Sequence, residues 1–476
     1  MKKKISVLLA LFLFITVIGV GSLKYKEIES TKIKENSSTK KGKVSEWKKP
    51  DIENLEYYGL DAFDTNFPVV HIDTNEQRIG KENKIWATIS VLNGSLEGAK
   101  RSICDVPDYK SLAAINLRGA SSYSVFDKEQ YRIKFYKNQR KLGSKEYEFL
   151  GMGPHSEWVL NGPFLDRTLL RNRVIYQVSR EVFEWAPDSR FCEVFVNGEY
   201  RGIYLAIEPI TTGETRLQLS DFGLLSGETA YIVKRDREGT EADFLNNYGK
   251  ISGKTSNDLT ISYPGKNSIT TIQRQWIEKD ISNFEEVLYS DRFDDPANGY
   301  SKYMDVDNFV DYFILNEVVM NNDAGNLSTY VYKEINGKLK LVVWDFNNAY
   351  NNYQWFVQDY STFFMEESAW FQRLLLDRHF VDLVVERYWE LREGVLSDQY
   401  IYNMIEKGEE ELGDAIDRNF AVWGYTFTET MMVSGGGEKR DPSSHDDAVT
   451  KLKDSINERF KFLDAHITDL YDKCVN

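Results

Sequence analysis

The sequence predicts an α+β protein, β-rich towards its N-terminus and mainly helical towards its C-terminus. Three observations predict it. Short β-branched and aromatic runs crowd the region 67–116, separated by polar turns such as Asn93-Gly94. An Asn197-Gly198 pair joins the apolar runs Phe191–Val196 and Tyr200–Ile207, the strongest short hairpin signal. In the last third, Ile401 and Ile405, Leu412 and Ile416, then Val449, Leu452, Ile456, Phe460, Leu463 and Ile467 keep helical spacing.

Composition narrows the classes. The chain has 476 residues, 42% hydrophobic and 28% charged, the balance of a folded protein. Its net charge of −15 argues against a nucleic-acid partner, because phosphate recognition needs a concentrated basic surface. A local basic site for one nucleotide is compatible with it. Cys104, Cys192 and Cys474 are odd in number and far apart, with neither zinc spacing nor a disulfide framework.

Lys2, Lys3 and Lys4 precede an uncharged run from Ile5 to Leu23. As a helix it would span ~28 Å, against ~30 Å of bilayer hydrocarbon. Residues 1–23 therefore read as a signal peptide or membrane anchor, with the body outside the cytoplasm, secreted or membrane-anchored. Residues 24–50 read as a polar linker, and the folded body spans 51–476. Its β-rich part covers about 65–235 and its helical part about 270–476. No internal repeat interrupts them.

Within the body, strands are expected at Pro68–Ile72, Ile85–Val91 and Ala113–Asn116. Asp166 is placed to cap a helix whose apolar face is Leu170, Val174, Val178 and Val182. Another helix covers Asp305–Val319, capped by Asp305 or Asp307. Gly253-Lys254-Thr255 ends like a phosphate-binding loop, but Tyr248 stands where its first glycine belongs and a strand-like run follows. That reading is rejected. Ser434–Gly437 reads as a mobile loop before the last helix.

The densest polar constellation lies at 321–348. Asn321-Asn322-Asp323-Ala324-Gly325-Asn326 forms a turn, and strands Ser328–Glu334 and Lys338–Trp344 flank Asn336-Gly337, ahead of Asp345-Phe346-Asn347-Asn348. A tight hairpin returns the chain to its start, so Asp323 and Asp345 come to one end of it. Two carboxylates with nearby amides suit a hard divalent cation. The order also suits phosphoryl transfer, in which one Asp positions the attacking hydroxyl and a second binds magnesium. Turn capping by Asp and Asn is an equally good account of this segment taken alone. Arg118-Gly119-Ala120-Ser121-Ser122, followed by Lys128 and the basic strand Tyr131–Phe135, could approach phosphate or be a solvated edge.

Taken together, these segments resemble the CotH family, the spore-coat protein H kinases. The resemblance rests on Arg118-Gly119 with Ser121-Ser122, Lys128 with Tyr131–Phe135, Trp158–Asn161, and Asp166 with Leu170-Arg171-Asn172. It continues through Val196–Tyr204 to Glu208, Tyr231–Lys234, Asp323 and Trp344-Asp345-Phe346, covering roughly residues 65–470. It implies a divergent protein-kinase-like fold and transfer of phosphate from ATP, with magnesium or another divalent cation, to Ser or Thr of a partner protein of the coat or cell surface. Asp323 would be catalytic. Lys128, Lys134, Glu208 and Lys234 would serve the nucleotide, and Asp345, Asn326, Ser328 and Asn347 the metal. Two positions depart from the family: Ser328 replaces its usual Asn, and Asn347 ends what is usually Trp-Asp-x-Asp. The second loses a charge, so a pseudokinase is one alternative. Others are a surface module stacking sugars on Tyr353, Trp355, Phe356 and Tyr360, and a glycosidase using Asp323 and Asp345.

Overall fold

The computed structural model describes residues 44–475, apart from 95–97, 139–142, 221–222, 224–225, 238, 256–257 and 433–439. The N-terminal segment 1–23 and the expected loop at 434–437 lie outside the described residues. Among the described residues no helix is long and apolar enough to cross a membrane.

Seven strands form a closed barrel: β1 (Val69–Asp73), β2 (Ile85–Leu92), β3 (Tyr109–Leu117), β4 (Tyr131–Phe135), β5 (Glu157–Asn161), β6 (Ser189–Val196) and β7 (Glu199–Ile207). The order is β1-β2-β3-β4-β5-β7-β6, and a parallel pairing of β1 with β6 closes it. Alternate residues point inward, so the interior is a packed core of Val70, Ile89, Ile115, Ile133, Trp158 and Val194 among others. The intervening residues Asn116, Arg132 and Lys134 therefore face outward. The β6–β7 turn is the expected one, with φ of 52° at Asn197 and 91° at Gly198, the left-handed pair of a type I′ turn.

The segment expected to be a solvated linker touches this barrel from residue 45 onward. Ser45 donates to Asp73 at 2.5 Å, and Trp47 packs edge-on against His71 with ring centroids 4.5 Å apart. The Ser45 hydroxyl and the Trp47 ring hold this segment to β1.

Helix α1 (Arg171–Val182) follows the barrel strand β5. It starts later than Asp166 would place it. Asp166 instead reaches forward to accept the N–H of Arg171 at 2.9 Å and a 2.6 Å bond from the Arg171 guanidinium. Val174 and Val178 are buried as the spacing predicts, joined by Ile175 and Tyr176.

A second sheet has the order β9-β8-β10-β11, from β8 (Tyr231–Arg235), β9 (Leu259–Tyr263), β10 (Thr329–Lys333) and β11 (Lys340–Val342). The run after Gly253-Lys254-Thr255 is thus a strand, as expected. Strand β8 pairs with the 328–344 hairpin and not with the barrel, so the β-rich part is not one continuous sheet. Helices α2 (Thr271–Leu288), α3 (Val306–Val318), α4 (Arg378–Arg392), α5 (Asp398–Leu412), α6 (Ala415–Trp423) and α7 (His445–His466) make up the helical part, with α3 packed on β11 and α6 on the barrel strand β7. Asp305 caps α3 by accepting the N–H of Asn308. One apolar core joins these helices to the second sheet and α1.

Candidate active site

A cleft of about 630 Å³ runs between the outer face of the barrel and the second sheet. The barrel side supplies Asn116, Arg118, Gln130 and Arg132, and the opposite wall supplies Lys234, Arg237, Asp323, Ser328, Asp345 and Asn347. The hairpin forms as expected: β10 pairs with β11, Tyr330 opposite Val342, and both carboxylates line the same cleft.

Each carboxylate sits on a braced turn. At the end of α3, Asp323 C=O accepts the N–H of Asn326 at 3.2 Å and of Leu327 at 2.6 Å. Gly325 donates to Thr329 Oγ1 at 2.7 Å, and its carbonyl accepts from buried Arg235 at 2.8 Å. Gly325 has φ of +78°, and a Cβ there would lie 1.8 Å from Ser368 Oγ, so only glycine fits. Asp345 lies in the left-handed region at φ +63°, a costly conformation for a non-glycine residue. Helix α1 holds it there. Tyr176 Oη accepts the Asp345 N–H at 3.3 Å, Asn172 Oδ1 accepts the Phe346 N–H at 2.9 Å, and Arg171 Nε donates to Ala349 C=O at 2.9 Å.

Burial, then the charge of Asp345, pushes the Asp323 carboxyl up to about 6. Burial also raises Asp345, which Arg118 partly offsets. Asn348 Nδ2 lies 3.4 Å from Asp323 Oδ2, and Arg237 lies 3.9 Å from Asp323 Oδ1. Two half-buried carboxylates in one cleft, the charge of Asp345 disfavouring ionisation of Asp323, form a site that a cation would relieve. Among the described residues no three of His, Cys, Asp and Glu converge on one point. Magnesium needs no such cage, since it keeps water and phosphate oxygens and takes one or two carboxylates from protein. The donor set fits it.

The cations on the facing walls fit a polyphosphate. Arg132 projects from β4, exposed, between Asn116 and Val159 on the neighbouring strands. Arg118 donates to Gln130 at 2.9 Å and lies over the Trp344 ring. The turn after it needs Gly119, whose φ is +99° and where a Cβ would lie 2.0 Å from Ser122 Oγ.

Four of the site residues expected from sequence are not brought to this cleft. Lys128 is buried, donates to Asn419 Oδ1 at 2.8 Å and lies over the Tyr204 and Trp423 rings, joining the barrel to α6. Lys134 pairs with Glu157 of the adjacent strand at 2.6 Å. Glu208 is buried against Arg216 at 2.6 Å and also accepts the Asp188 N–H. Asn326 turns its side chain to the Ala369 N–H, 3.4 Å away. The family resemblance implied a role for each, whereas closure of the barrel and position along its strands decide which residues reach the cleft. Lys234, Asp323, Ser328, Asp345 and Asn347 do line it. Arg118 and Arg132 were in view only as members of basic segments, and Arg237, Asn172 and Tyr176 were not linked to the carboxylates at all. Among the aromatics, Tyr353 and Trp355 reach the cleft mouth, and Phe356 is exposed beside them.

A braced acidic pair facing fixed cations across one cleft defines a protein equipped to hold a phosphate-bearing ligand through a divalent cation. A search of curated proteins finds no match to the chain. The model of the family described as CotH kinase protein matches residues 115–463, most of the chain, and the protein belongs to that family. Membership carries kinase activity, ATP and a divalent cation as the family's general properties.

Lys128→Met is therefore expected to leave ATP affinity unchanged. Burial holds the Lys128 amine well below the usual lysine range. Between that lowered value and the ordinary ~10.4, the unfolded chain binds a proton that the folded protein resists, so wild-type stability rises with pH there. The variant lacks this dependence. Urea titrations should show its stability relative to wild type declining as pH is raised from 7 towards ~10.

Proposed function

We propose that the protein is an atypical, metal-dependent protein kinase that transfers the γ-phosphate of ATP to Ser or Thr of partner proteins, on a divergent kinase-like arrangement. The observation that carries this reading is the pairing of Asp323 and Asp345 in one cleft, opposite Arg118 and Arg132 and beside Lys234 on their own wall.

Asp323 orients the acceptor hydroxyl and takes its proton as the oxygen bonds to the γ-phosphorus. The bond from that phosphorus to the β-phosphate oxygen breaks, and ADP departs. Asp345 holds the divalent cation, which when bound neutralises the phosphate oxygens. Arg118, Arg132 and Lys234 offset the remaining phosphate charge, and Ser328 lines the same cleft. Elevation of the Asp323 carboxyl to about 6 suits a group that must accept a proton near neutral pH. The uncharged run Ile5–Leu23 supports a body held outside the cytoplasm, at the cell envelope or spore coat, where coat or surface proteins are the acceptors.

Magnesium-dependent ATP binding by the purified protein tests this reading. Calorimetry should show binding that is lost with EDTA. Arg132→Met should weaken it about tenfold, the scale of one lost charge-assisted bond. Equal affinity with and without magnesium would remove the metal from the account.

A further inference from the structure

The polar groups that follow β11 are linked to α1 by a chain of three amides. The backbone N–H of Phe346 donates to Asn172 Oδ1 at 2.9 Å. A backbone amide can only donate, so this contact fixes which end of Asn172 is oxygen. Its nitrogen is then the end that reaches Asn347 Oδ1, at 2.7 Å. The Asn347 oxygen is fixed in turn, and its –NH₂ donates to Asp345 Oδ1. Each orientation follows from the one before it, starting at a group with no freedom to invert. Turning Asn347 over would set two –NH₂ groups against each other at one end. At the other it would set an amide oxygen against a carboxylate. Two hydrogen bonds would be lost, one of them to a charged group.

We infer that Asn347 is a hydrogen-bond donor to Asp345 and not a metal ligand, and that the cleft accordingly takes one divalent cation with its nucleotide, not two. The inference rests on the metal-dependent nucleotide reading above. Asp345 Oδ1 is taken by the Asn347 –NH₂, a donor that cannot ligate a cation. Oδ2 is left to ligate one ion. Arg118 lowers the cost of the Asp345 charge from the barrel side, and Asn347 does so from the turn. A neutral donor thus does part of what a second cation would do. Asn172 is the positioning residue that sets this state, since without it the Asn347 amide could turn its oxygen to the metal.

The test is the number of Mn²⁺ ions bound by the full-length protein, read by electron paramagnetic resonance in the presence of a non-hydrolysable ATP analogue. Wild type should bind one Mn²⁺ per bound nucleotide. Asn347→Ala should keep that ion with affinity changed less than about threefold, because no ligand is removed. Asn347→Asp should acquire a second ion, since a carboxylate held by Asn172 and facing Asp345 needs a cation between them. Two ions in wild type, or loss of the ion in Asn347→Ala by tenfold or more in affinity, would overturn the inference while leaving the kinase reading in place. Absence of any Mn²⁺, with or without the analogue, would overturn the kinase reading itself.

Discussion

Asp345→Asn is expected to abolish magnesium-dependent ATP binding and, with it, phosphate transfer. The carboxylate is half-buried, faces the cleft, and sits on a backbone held at φ +63° by Tyr176 and by the bond from Phe346 to Asn172. Such a conformation persists only where surrounding structure over-determines it, and three side chains of α1 do that here. An amide keeps the shape but gives up the charge that a hard cation requires. The metal-free fold should be unharmed, because burial already disfavours the ionised form of this group. Calorimetry with and without magnesium, beside a thermal melt in EDTA, would show both effects. Retained binding at wild-type affinity would place the metal elsewhere.

Asp323→Asn should behave differently, keeping much of the ATP binding while losing ~100-fold or more in transfer rate, the usual scale for acid–base catalysis. It should also stabilise the metal-free protein. The folded-state value of about 6 lies above the ordinary 3.8, so between these the folded protein holds a proton that the unfolded chain has released. Stability therefore falls as pH rises through that window, and the full cost is present above pH 6. Its size is on the order of 2 kcal/mol, after discounting for partial exposure of the side chain. The melting temperature of Asp323→Asn should exceed that of wild type at pH 7.5 in EDTA and converge with it near pH 4. Magnesium with nucleotide should erase the difference at neutral pH, by stabilising wild type.

The division into β-rich and helical parts was legible because period-two runs, Asn-Gly turns and four-residue apolar spacing are local signals. Asn197-Gly198 fixed one hairpin, and Asn336-Gly337 brought Asp323 and Asp345 together before any packing was known. Barrel closure was not legible. It depends on the parallel pairing of β1 with β6, more than a hundred residues apart, which leaves no local mark. That closure is what buries Lys128 against Asn419 and sets Arg132 and Lys134 together on the outer face, where Arg132 lies at the cleft end of the strand and Lys134, further along, pairs with Glu157. A strand alternates its faces, but which face becomes interior is decided by the sheet as a whole. The role of Asn172 was hidden for a similar reason, since its partners Phe346 and Asn347 meet it only through the packing of α1 against the turn.

The most direct test of the central claim is transfer of labelled γ-phosphate from ATP to protein in magnesium buffer, comparing wild type, Asp323→Asn and Asp345→Asn. Casein and the protein itself serve as acceptors. The account predicts label on Ser or Thr with wild type and at least ~100-fold less with either variant. Label at the wild-type rate in both variants would contradict the proposed site. ATP binding by wild type with no label on any acceptor would make the protein a pseudokinase, and polysaccharide cleavage without ATP would make the carboxylates those of a glycosidase.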